Sequence, residues 1–154
     1  MCIRQAWLAL EDGSVFEGHG FGATAKAGGE VVFSTGMVGY PESITDPSFH
    51  GQILCQTYPL IGNYGIDPES FESARPHIVG YVVAEHCEHP SHVTSRTNLH
   101  EWLKKNGIPG ISGIDTRALA KKLRNQGVMR GLLASAEDGA DPESLVREAR
   151  LLPD

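Results

Sequence analysis

Three kinds of side chain in this sequence could do chemistry: a hydroxyl, three thiols and a run of imidazoles. The hydroxyl is Ser48, in Asp46-Pro47-Ser48-Phe49. Asp-Pro starts turns, and proline suits the first position of a helical turn because its φ is fixed. Ser48 would then lie where free backbone N–H groups and a side-chain O–H converge, an arrangement that holds polar groups. Simple turn capping also accounts for a serine there. No histidine is spaced to identify a Ser-His pair, so Ser48 does not read as a catalytic serine.

The thiols are Cys2, Cys55 and Cys87. An odd number cannot all pair, which fits a reducing cytoplasm better than a disulfide framework. A nucleophilic cysteine sits on an exposed Gly-x-Cys-x-Gly type of elbow beside a base. None of the three has those glycines. Cys55 lies mid-run in Gln52 to Tyr58 and reads as a small core residue. The run Glu85-His86-Cys87-Glu88-His89-Pro90-Ser91-His92 gathers imidazoles and a thiol. Zinc sites of the structural kind draw on two separated ligand pairs, and no second pair stands out. A polar surface loop is therefore the expected reading, and no metal site is assigned. Gly18-His19-Gly20-Phe21-Gly22 has the look of a dinucleotide loop, but no helix follows it. A glycine-rich bend or bulge is expected instead.

Strands must position these groups in the first half of the chain. Gln5 to Leu10 reads as a strand, Glu11-Asp12-Gly13 as a hairpin turn in which Asp and Gly both tolerate positive φ, and Ser14 to Phe21 as the returning strand. Glu30 to Ser34 and Gln52 to Tyr58 are β-branched and aromatic runs. The first leads into Thr35 to Asp46, rich in glycine and small hydroxyls, which presents backbone amides beside the Ser48 turn. Pro59 to Pro76 reads as a long loop, and His77 to Ala84 as a buried strand. In the second half, Thr97 caps a helix through Lys105, with Leu99, Trp102 and Leu103 on one face and Gly107 as its stop. Gly110 to Ile114 is a strand. Asp115 caps a helix over Thr116 to Gln126, with Leu119 and Leu123 on one face and Gly127 closing it. Val128 to Ala134 is the last strand, and Asp141-Pro142-Glu143 opens a final helix. This pattern predicts a layered α/β domain with mixed sheets.

Composition narrows the function classes. The 154 residues fit one domain with a sizeable core. With 13 Lys and Arg against 19 Asp and Glu, the net charge of −6 argues against nucleic acid as a partner. The basic residues from Arg117 to Arg124 are spaced as the solvated face of a helix. No apolar run approaches the ~20 residues that span a membrane. The amino terminus has no secretory pattern. A cytoplasmic, non-membrane protein is expected.

Several dispersed segments carry a family resemblance. They are Leu10-Glu11-Asp12-Gly13, Gly29 to Phe33 continuing through Asp46-Pro47-Ser48-Phe49, Gln52-Ile53-Leu54, Thr57 to Gly65, and Gly113-Ile114-Asp115-Thr116-Arg117. Together they resemble the amino-terminal domain of the small (amidotransferase) subunit of glutamine-dependent carbamoyl-phosphate synthetase, over the first ~135 residues. The resemblance implies a three-layer swivelling β/β/α domain over residues 1–135. Residues 136–154 would be a helix and the start of a linker. It implies an enzyme that makes carbamoyl phosphate from glutamine, bicarbonate and two ATP for pyrimidine and arginine synthesis. Glutamine hydrolysis belongs to a following class I amidotransferase domain with a Cys-His-Glu triad, so no catalytic residue carries over to this chain. Ser48 alone carries over, as a contact to L-glutamine. The implied partner is the large, ATP-using subunit, and no cofactor is implied in this chain. Two rival classes are a free-standing binding module without an enzyme partner, and a metal-dependent hydrolase using His86, His89 and His92.

Overall fold

The computed structural model describes residues 4–34, 47–61, 77–86, 99–135 and 141–152. Among these residues seven strands run in chain order: β1 (Arg4–Leu10), β2 (Val15–Gly22), β3 (Ala27–Ser34), β4 (Ile53–Ile61), β5 (Gly80–His86), β6 (Pro109–Ser112) and β7 (Met129–Ser135). A 3-10 turn, Pro47–Phe49, precedes β4. The helices among the described residues are α1 (Leu99–Lys105), α2 (Thr116–Gln126) and α3 (Pro142–Leu151). The α/β class and the mixed strand directions agree with the sequence.

The strands form one closed barrel in the order β1-β2-β6-β5-β4-β3-β7. β7 closes it by pairing antiparallel with both β1 and β3. The neighbours β3, β4, β5 and β6 are all parallel. Parallel neighbours need crossover connections, and the alternation of strand and helix in the second half supplies one through α1.

Period-two alternation builds the interior. Ala6, Leu8 and Leu10 of β1 meet Val31, Ile53, Cys55, Val82, Ile111, Met129 and Leu133 in one buried cluster. Leu119 and Leu123 of α2 join that cluster, so α2 packs on the same surface as the barrel interior. The opposite faces of the strands are covered separately. Trp7, Ala9, Leu132 and Ala134 lie under Leu145 and Ala149 of α3. Leu54, Tyr81 and Val83 lie with Trp102 and Leu103 of α1.

The β1–β2 connection turns at Glu11-Asp12-Gly13, as the sequence predicts. It is a three-residue loop in which only glycine takes positive φ, with Gly13 at +97°. Gly13 N–H donates to Leu10 O at 3.0 Å, and Leu10 N–H donates to Ser14 O at 2.8 Å. The glycine run in β2 is neither bend nor bulge. Its register to β1 and to β6 is unbroken. The physical reason at Gly18 is close approach, because a Cβ there would sit 2.1 Å from the Ser112 carbonyl oxygen. β4 also outruns its expected end, continuing through Pro59 to Ile61. A register shift against β5 between Gln56 and Leu60 makes room for a residue that cannot donate to the ladder.

Candidate functional site

The Ser48 turn forms as the sequence predicts, as a single 3-10 turn. Half-buried Phe49 anchors it against the cluster of Leu54, Tyr81 and Trp102. Gln52 N–H donates to Phe49 O at 3.1 Å, which closes the turn onto the start of β4. Ser48 itself is exposed. Its hydroxyl is therefore presented at the amino end of β4. Asp46 and the glycine-rich stretch from Thr35 lie outside the described residues.

A second polar group, which sequence reasoning missed, lies further along the same strands. Gln56 is 1% exposed and Tyr81 fully buried. The Tyr81 hydroxyl donates to Gln56 Oε1 at 3.3 Å, and Gln56 Nε2 donates to Ser34 Oγ at 3.5 Å. Thr57 Oγ1 donates to Ser34 O at 3.0 Å. Parallel register aligns Ser34 with Gln56, so the network follows from strand pairing. The available signal was a lone amide inside the apolar run Ile53 to Tyr58. These bonds tie β3, β4 and β5 together through buried side chains. They and Ser48 form no single constellation. Ile53 to Gln56 alone separates them by roughly 10 Å along the strand.

The thiols and imidazoles fall as follows. Cys55 is buried in the barrel interior, where desolvation pushes its thiol up to about 12. Such a thiol is a poor nucleophile at neutral pH, in accord with its expected core role. Cys2, Cys87, His89 and His92 lie outside the described residues, and His86 ends β5. Among the described residues no three His, Cys, Asp or Glu side chains come together to hold a metal. His19 lines an open groove of about 460 Å³ with Gln5, Glu17, Gly18 and Gly113.

The Gly113 to Arg117 segment has a structural job. Asp115 accepts the Ala118 N–H at 3.0 Å and so caps α2, with Thr116 buried beside it. The Leu10 to Gly13 segment is a charge hub. Glu11 Oε2 accepts from Arg130 Nη2 at 2.7 Å and Nε at 3.0 Å, while Oε1 accepts the Arg130 backbone N–H at 2.9 Å. These bonds from Arg130 hold the Glu11 carboxyl below its usual range. At Asp12 desolvation raises the pKa, but bonds from Lys122 and Ser14 outweigh it and the carboxyl is also held low. Arg130 Nη1 reaches the Leu152 carbonyl, and Arg150 Nε donates to Glu11 O at 2.9 Å. One turn thereby ties β7, α2 and α3 together.

Fold and site define an α/β barrel domain that presents the Ser48 hydroxyl at the start of β4 while its described thiol is sealed. The family profile for carbamoyl-phosphate synthase small chain, CPSase domain, matches residues 8–133. The chain belongs to this family. It is 53% identical over 149 residues to the carbamoyl phosphate synthase small chain of Maridesulfovibrio salexigens, covering 97% of this chain and 39% of that one. To the small chain of Streptococcus agalactiae it is 59% identical over 126 residues, 82% of this chain and 35% of that one. To that of Syntrophotalea carbinolica it is 54% identical over 149 residues, 97% and 39% of the two chains. The chain spans under two fifths of the length of these curated relatives.

Proposed function

We propose that this chain is the amino-terminal structural and docking domain of the small subunit of a glutamine-hydrolysing carbamoyl-phosphate synthase. The observation that carries the reading is the family match over residues 8–133, at high identity and confined to about two fifths of the relatives' length. The whole enzyme would join glutamine nitrogen, bicarbonate and two ATP into carbamoyl phosphate in the cytoplasm, for pyrimidine and arginine synthesis. A class I amidotransferase domain would supply the glutaminase cysteine by covalent catalysis. Residues 1–135 would form the domain body in the swivelling β/β/α layering, and residues 136–154 the helix and linker onward. The packing of α3 on β1 and β7 supports a linker that leaves from a fixed point. The large subunit would be the docking partner.

Within that enzyme the role of Ser48 is to contact L-glutamine across the domain boundary. Its exposure, on a turn anchored by Phe49, supports this. A hydroxyl that binds substrate and transition state equally affects KM more than kcat. In the complete small subunit, Ser48→Ala is expected to raise the KM for glutamine with kcat within about twofold. Removing one hydrogen bond of about 1 kcal/mol predicts roughly a fivefold rise. Steady-state glutaminase assays check it, and an unchanged KM removes Ser48 from the site.

A further inference from the structure

The turn that carries Ser48 is tied to the approach to β5 by two imidazoles that the proposed function does not use. Nδ1 of His50 lies 3.3 Å from Nδ1 of His77. The ring centroids are 5.5 Å apart and the planes are inclined by 61°. Both residues stand on backbone that is already fixed. Gly51 N–H donates to His77 O at 3.0 Å, and Val79 N–H donates to Gln52 O at 2.9 Å. His50 is exposed and His77 half-buried, so the pair opens to solvent.

A shared proton between the two Nδ1 atoms is one use of such a pair. The separation is long for that, against a usual N–H range of about 2.7–3.2 Å. It matches a different geometry well. Zinc binds imidazole nitrogen at about 2.0–2.1 Å with tetrahedral angles, which puts two ligand nitrogens about 3.3 Å apart. We propose that His50 and His77 form a two-histidine clip for a zinc-like divalent ion, pinning the Pro47–Phe49 turn to the approach to β5. Both rings bind in the neutral form with the proton on Nε2, so a proton held between the Nδ1 atoms moves to Nε2 or to solvent. Among the described residues no third His, Cys, Asp or Glu joins the pair. The fixed backbone lowers the ordering cost of binding. The clip stands whether or not Ser48 contacts glutamine.

The test is calorimetric titration of zinc chloride into the full chain at neutral pH, with imidazole nitrogen NMR to identify the metallated atoms. One ion per chain is expected, with the Nδ1 signals of His50 and His77 moving. Losing a partner that merely orients a metal ligand costs roughly 10–100-fold in affinity. His50→Ala and His77→Ala, each removing a ligand itself, are therefore expected to weaken binding by at least about tenfold. His50→Asn and His77→Asn, which keep a polar side chain, guard against a folding defect, and circular dichroism verifies the fold. Absence of saturable binding by the unmodified chain overturns the proposal. So does undiminished binding by the His50→Ala/His77→Ala double variant, which would move the ion to the histidines after β5.

Discussion

Glu11 holds the β1–β2 turn in place through its carboxylate. Its carboxylate receives three hydrogen bonds from Arg130, two from the guanidinium and one from the backbone. Both partners are only a quarter or so exposed, so screening weakens the pair without removing it. Glu11→Gln leaves the guanidinium without its anion and is expected to cost about 1–2 kcal/mol of folding stability, read from urea denaturation. The pH dependence follows in sign. The folded-state pKa of Glu11 lies below its usual 4.5. The stabilisation is therefore complete above that usual value and is lost as pH falls through the lower folded value. Asp12 acts in the same direction. The parent chain should lose stability more steeply than Glu11→Gln over this acid range. Parallel acid profiles would show that the Arg130 contact does not govern it.

At the scale of elements, α2 depends on one cap. Asp115 satisfies the Ala118 N–H, and the helix delivers Leu119 and Leu123 to the barrel interior. Asp115→Ala is expected to destabilise the chain by about 1 kcal/mol, with Asp115→Asn recovering most of it. A denaturation midpoint unmoved by Asp115→Ala would mean the cap is replaced locally. This helix was legible in the sequence, because cap, period and closing glycine are all local signals. The strands were legible as runs, and their closure was not. Met129 to Ser135 pairs with both β1 and β3, and nothing in a strand's own residues states which partners flank it. Gly18 is similar. Its need for no side chain comes from Ser112, 94 positions away, whereas the local pattern alone predicts a bend. Pro59 opens a stretch whose Gly, Pro, Asn and Ser content predicts a loop, and the shifted register lets β4 run on past it to Ile61. At the site, Ser48 was visible through its turn. Gln56, Ser34 and Tyr81 were not, since only parallel pairing brings them together.

As a whole molecule, the chain reads as a platform. Its interior is apolar, its described cysteine is sealed within it, and polar groups gather at the ends and outer faces of β3, β4 and β5. One hub of charges fixes α2, β7 and the end of α3 to the β1–β2 turn. A rigid body of this kind suits positioning, where a small misplacement of a contacting group costs rate. Docking on the synthase large subunit is the role proposed for this platform. Sedimentation velocity of the purified chain mixed with that subunit tests it most directly. A specific interface of about 1,200–2,000 Å² in total predicts a saturable one-to-one complex. Two boundaries that sediment independently at every mixing ratio would contradict it.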